Sequence, residues 1–381
     1  MIRLFAYAKR GEYIVTKSSK VIRRFSESLS VAGDRAGALL KPLLVQGEVD
    51  AGRRLAEAAS GEGIGSPHRI CDDGNLPSPR AKAIPRDTPA AAEVAPAGAS
   101  SRAELAAAHA FCGDLARSHY ENFTVASWLM PRAMRPHMHA IYAYARIADD
   151  YADEERSRPK LDAWEAELDL AFRGAPRHPV MVALADTVHR FDIPREPFVD
   201  LLTAFRSDLD FQGYDTLADL LEYSRCSANP VGRLVLYLFG YRDAERQGLS
   251  DLVCSGLQLA NFWQDVAVDL TKDRIYIPRE DMARFGVTAA DLRAARATPA
   301  FVALMRYEIA CARDLIRRGA ELHRMVDARL GRDVLMFAGG GLAILRAIER
   351  VGCNVFARRP HLTKLDYLRA GWNAWRGRLA A

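Results

Sequence analysis

The chain has few cysteines, no long apolar run and no stretch that alternates like a strand. Its six cysteines, Cys71, Cys112, Cys226, Cys254, Cys311 and Cys353, form neither a CxxC pair nor a zinc-like spacing. That argues against a disulfide framework and for a reduced, cytoplasmic setting. No Gly-x-Gly-x-x-Gly follows a strand-like segment, so nothing marks a seat for a nicotinamide. The longest apolar candidate, Val334 to Leu345, is interrupted by Gly339-Gly340-Gly341. It falls short of the roughly 20 residues that a bilayer crossing needs and reads as a buried or membrane-facing helix. Neither sign of charge dominates. The net charge of +5 is concentrated in residues 1–100, which hold 15 Lys+Arg against 11 Asp+Glu, leaving 38 against 37 beyond. A body this nearly neutral predicts no nucleic-acid partner.

What is present divides at about residue 100. Residues 1–100 lack sustained periodicity, and from Gly61 to Ser100 they are rich in Pro, Ala, Gly, Ser and charge. They are expected to be a disordered, basic, Pro/Ala-rich extension. From Ser101 to Ala381 the apolar residues recur at helical spacing, and a single all-α domain is expected. Its helices are placed at about 102–119, 132–155, 162–173, 178–190, 195–206, 217–239, 244–270, 300–329, 332–352 and 361–374, separated by Gly and Pro breaks.

Two acidic clusters fall on these helices, Asp149-Asp150-Tyr151-Ala152-Asp153 and Asp265-Val266-Ala267-Val268-Asp269. Four residues make slightly more than one helical turn, so Asp149 and Asp153 share a side, as do Asp265 and Asp269. Carboxylates so placed repel each other, and more strongly when dehydrated, so a cation is expected between them. Neither cluster has a Cys or His beside it. Oxygen-only ligation suits a hard ion such as Mg²⁺, which takes one or two carboxylates and a substrate phosphate. The flanking helices are apolar on more than one face, as at Ala140, Ile141, Ala145 and Ala148. They should be central, with their acids lining a cavity.

Around the clusters stand Tyr142-Ala-Tyr-Ala-Arg146-Ile-Ala-Asp149-Asp150, then Gln258-Leu-Ala-Asn261-Phe-Trp-Gln-Asp265, and then Lys272-Asp273-Arg274-Ile275-Tyr276-Ile277-Pro278. In this ordered series the chain resembles the squalene and phytoene synthases over roughly residues 105–370. The resemblance implies the all-α isoprenoid synthase bundle around a central active-site cavity. It places the first metal-binding motif on Asp149 and Asp153 and the second on Asp265 and Asp269. It also implies that Arg146 grips diphosphate oxygens, and that Lys272 and Arg274 close over the departing diphosphate. Tyr142 and Tyr223 would line the chamber, and Gln258 and Asn261 would orient water or substrate.

Two segments depart from the condensing members of that family. His119-Tyr120-Glu121-Asn122-Phe123 has Glu121 where a cation is usual, and Ser227-Ala228-Asn229-Pro230-Val231-Gly232 replaces Val-Ala-Gly-x-Val-Gly. Both look like the hopanoid-associated hydroxysqualene synthase branch. The expectation is therefore Mg²⁺-dependent conversion of presqualene diphosphate to hydroxysqualene with loss of diphosphate, without a nicotinamide, and with Asn229 helping to place water. Two rivals stand beside it: a synthase joining two prenyl diphosphates head to head, and a catalytically silent helical scaffold in a lipid-pathway assembly. Peripheral contact with the inner face of the membrane and with other enzymes of the hopanoid pathway is a further expectation, because a C30 product is too apolar to diffuse freely.

Overall fold

The computed structural model describes residues 101–118 and 130–379. The expectations for residues 1–100 and for His119 to Phe123 lie outside the described residues. Within them the chain is helices, turns and loops, with no strand. The helices are α1 Arg102–Ser118, α2 Arg135–Asp153, α3 Arg158–Phe172, α4 Pro179–Phe191, α5 Glu196–Leu209, α6 Leu217–Ser227 and α7 Asn229–Leu238. There follow α8 Ala244–Leu270, the short α9 Arg279–Arg284 and α10 Ala289–Arg293, α11 Pro299–Gly319, α12 Ala328–Arg350 and α13 Lys364–Trp375. The all-α expectation holds.

The two helices that carry the acidic clusters are central, each within its own apolar core. Helix α2 opens with Pro136 in its first turn, where the missing N–H costs no helical hydrogen bond. It packs against α1, α3, α4, α5 and α7. Its fully buried Tyr144 donates to the Phe198 carbonyl at 3.1 Å, while the Trp164 indole donates to the Tyr144 carbonyl at 3.2 Å. Helix α8, 27 residues long, starts at Asp243, whose carboxylate accepts from the Arg246 N–H at 3.0 Å and so satisfies one of the end donors. It packs against α6, α7, α11 and α12. Apolar side chains of α1 to α5 and α7 form one core cluster. Those of α6, α8, α11 and α12 form a second. Helix α7 touches both α2 and α8 and so spans the two halves.

Several expected boundaries move. The helix placed at 217–239 is two helices, α6 and α7, parted at Ala228. Pro230 has no N–H to offer the preceding turn and its ring crowds that turn's carbonyl. The helix placed at 300–329 ends at Gly319 and passes through a 3₁₀ turn, Ala320–Arg324, before α12. The short helices α9 and α10 lie between the helices expected at 244–270 and 300–329. Val334 to Leu345 is not interrupted: α12 runs through Gly339-Gly340-Gly341, and Leu335, Ala338, Leu342 and Leu345 are buried. Gly341 lies in the seam with α8, where a Cβ would sit 2.4 Å from Leu257 Cδ2. The glycine therefore reflects close approach and not a break. No described helix is long and apolar enough to cross a membrane.

Candidate active site

On α2, Tyr142, Arg146, Asp149 and Asp153 follow one another at three- and four-residue steps and form one stripe. Tyr142, Arg146 and Asp149 are buried, and Asp153 lies at the exposed end of the helix. Arg146 Nη1 is 3.6 Å from Asp149 Oδ2, its Nε donates to Asp150 Oδ2 at 3.2 Å, and its Nη2 reaches Asp150 Oδ1 and, at 3.5 Å, Glu154. Burial works against the Arg146 charge, but Asp150 and Asp149 outweigh it and hold the proton more firmly than usual. Burial pushes the Tyr142 phenol up to about 12, with Arg146 opposing and Asp149 and Asp150 adding to the rise. Tyr142 is therefore a neutral hydrogen-bonding group at neutral pH.

On α8, Gln258, Asn261, Asp265 and Asp269 form the matching stripe, all buried. Ser255, one turn earlier, donates to Asn229 Oδ1 at 2.9 Å. The Asn229 carbonyl oxygen thus fastens the start of α7 to α8.

The loop after α8 carries two cations that reach the first acidic cluster. The Arg274 backbone N–H donates to the Asp269 carbonyl at 3.0 Å, while its buried guanidinium lies 3.8 Å from Asp153 Oδ1. Lys272 Nζ is 3.8 Å from Asp153 Oδ2. One arginine therefore touches the second cluster with its backbone and the first with its side chain. Arg274 Nη2 also donates to the Asp208 carbonyl at 3.1 Å, and the Asp208 carboxylate accepts from the Tyr223 hydroxyl at 3.0 and 3.1 Å. Tyr223 belongs to an aromatic group in which Phe262 and Tyr276 stack with centroids 3.9 Å apart.

Arg146, Asp149 and Asp153 lie on the α2 stripe and Asp265 and Asp269 on the α8 stripe, and Lys272 and Arg274, on the loop after α8, reach Asp153. Tyr142, Gln258 and Asn261 continue those stripes, Tyr223 joins through Asp208, and Asn229 joins through Ser255. Two participants were not foreseen. Asp208 is a buried acid on α5. Arg359 grips Asp265 with Nε and Nη2, the latter at 3.1 Å. Gln264 donates to the Pro360 carbonyl at 2.6 Å and holds the Arg359 loop in place. The basic run Arg358-Arg359-Pro360 was the available signal, but it lies more than 90 residues from Asp265 in sequence.

The family model of squalene/phytoene synthase matches residues 116–366. The chain belongs to the squalene/phytoene synthase family. It is 35% identical over 264 residues to the hydroxysqualene synthase of Sinorhizobium fredii, covering 67% of this chain and 87% of that one. It is 34% identical over 249 residues to the phytoene synthase of Thermus thermophilus, covering 65% and 85%. Among solved structures it is similar to squalene synthase HpnC from Alicyclobacillus acidocaldarius, with a TM-score of 0.65 and 44% identity over 67% of this chain and 97% of that one. The expected isoprenoid synthase fold is therefore the observed one, and the chain is an enzyme of isoprenoid biosynthesis that processes prenyl diphosphates.

Proposed function

We propose that this enzyme converts presqualene diphosphate and water to hydroxysqualene and diphosphate. What supports the reading is the loop after α8, where Arg274 donates its backbone N–H to the Asp269 main-chain carbonyl and, with Lys272, reaches Asp153 with its side chain. The donor set fits Mg²⁺ because it is all oxygen; Arg146, Arg274 and Arg359 lie against Asp149, Asp153 and Asp265, so an ion bound there would take over carboxylate contacts that these cations now make. Asp149, Asp153, Asp265 and Asp269 would hold the ion, which when bound supplies Lewis-acid neutralisation of diphosphate charge.

The chain's own groups do the rest. Arg146, Lys272 and Arg274 bind and orient the diphosphate, and an arginine fork suits its dispersed oxygens. As the carbon–oxygen bond breaks, the electron pair leaves with the diphosphate and these cations stabilise it. The aromatic faces of Tyr223 and Phe262 offer walls that tolerate a carbocation. Tyr142, neutral, and the amides of Gln258 and Asn261 hold the attacking water, with Asn229 as a further amide beside Ser255. Water forms the new carbon–oxygen bond, and its proton passes to the released diphosphate.

Similarity to a hydroxysqualene synthase, and Glu121 in place of a cation, favour a single preassembled substrate. Similarity to a phytoene synthase supports the second reading, head-to-head condensation of two prenyl diphosphates. Mass spectrometry of products from presqualene diphosphate, with and without a reduced nicotinamide, separates the two. Hydroxysqualene in both tubes is expected. Inert presqualene diphosphate, together with a C30 or C40 diphosphate formed from shorter prenyl diphosphates, would make the chain a condensing enzyme.

A further inference from the structure

Helix α13 is packed inside out. Its buried positions are Asp366, Ala370 and Ala374, while its large apolar residues are exposed: Leu365 72%, Tyr367 57%, Leu368 51%, Trp372 48% and Trp375 60%. Leu365, Leu368, Trp372 and Trp375 stand at helical spacing and form one outward stripe. The two indoles stack with centroids 5.2 Å apart. Four exposed cations, Lys364, Arg369, Arg376 and Arg378, lie on α13 and just past its end. Its sole acid, Asp366, is turned inward and paired with Arg350 at 2.9 Å. That pair, with the Thr363–Asp366 capping box, clamps the helix onto α12. Burial alone would raise the Asp366 carboxyl, but hydrogen bonds from Arg350 and Thr363 outweigh it and bring it down to about 2.

A contiguous apolar stripe rimmed by polar residues marks an interaction surface. Its composition selects the partner. Tryptophan favours the boundary between lipid headgroups and acyl chains, and a helix whose Lys and Arg are exposed while its own acid is turned inward suits a negatively charged surface. We infer that α13 docks this enzyme onto an anionic lipid bilayer by inserting Leu365, Leu368, Trp372 and Trp375 at the headgroup level. The inference rests on the exposed stripe and its charge, and it stands whichever prenyl diphosphate is the substrate. The helix also follows directly on the loop that carries Arg359, the residue gripping Asp265, so docking would place the candidate active site close to the membrane surface.

Co-sedimentation of the full chain with vesicles tests this. One vesicle is phosphatidylcholine alone and the other contains phosphatidylglycerol. Binding is expected to the anionic vesicles and to fall with salt. Two variants are compared, Leu368→Ser/Trp372→Ser/Trp375→Ser and Lys364→Glu/Arg369→Glu/Arg376→Glu. Each is expected to lower the partition constant roughly tenfold or more while circular dichroism and turnover of detergent-dispersed substrate stay at the parent level. Brominated lipids should quench the tryptophan fluorescence of the parent and not of the triple-serine variant. Three results would overturn the inference. The parent fails to bind; both variants bind as well as the parent, which would assign binding to residues 1–100; or the serine variant converts a vesicle-free dimer to monomer, which would make the stripe a contact between copies.

Discussion

At the scale of single residues, the acids of the two stripes answer to different partners, and their replacement separates chemistry from folding. Asp149→Asn or Asp265→Asn keeps shape and removes one negative charge. Pyrophosphate release is expected to fall by on the order of a hundredfold or more, with an unchanged helical circular dichroism spectrum; near-normal turnover would remove these acids from the reaction. Behind the site, Glu308 on α11 is fully buried and interacts with Asp281. Burial first, and the nearby Asp281 second, raise its carboxyl well above the ordinary 4.5. The folded state therefore keeps a proton that the unfolded chain releases, so this carboxyl takes stability away as pH rises above 4.5. Glu308→Gln should melt higher than the parent at pH 8 and gain little near pH 4.5, as read by thermal denaturation at both values. The acids four residues apart were legible because helical geometry alone brings them together. Asp208 and Arg359 were not, since their partners are set by tertiary packing and a lone Asp or a basic pair carries no periodic signal.

At the scale of helices, long periodic segments were readable and their junctions were less so. Helix α8 keeps its apolar period over its whole length and was placed at 244–270. The junction at Ala228 was partly signalled by Pro230. Helices α9 and α10, six and five residues long, are too short for a period to emerge. Glycine misled the reading of α12, because a glycine that permits close contact looks the same in sequence as one that ends a helix. The seam between α8 and α11 shows how strict such contacts are. A Cβ on Gly319 would lie 2.5 Å from the Val253 nitrogen and 2.7 Å from the Leu249 carbonyl oxygen. Backbone cannot step aside as a side-chain tip can. Gly319→Ala is expected to cost about 1–3 kcal/mol in urea denaturation, with the loss appearing in the midpoint at an unchanged slope.

At the scale of the whole molecule, the α2 and α8 cores are joined by apolar packing, as where Leu236 of α7 meets Leu322 and Leu330, and by polar contacts: Arg274 to Asp153, Ser255 to Asn229, Tyr223 to Asp208. A ligand bound at the polar contacts should therefore stabilise both halves together. Mg²⁺ with pyrophosphate is expected to raise the melting temperature, by the equivalent of about 2.7 kcal/mol at a hundredfold excess over Kd. Chelation should reverse the shift, and Asp149→Asn should show little of it. Arg274 holds on to α8 with its backbone and to α2 with its guanidinium, so a guest that grips that one side chain would pull on both helices at once.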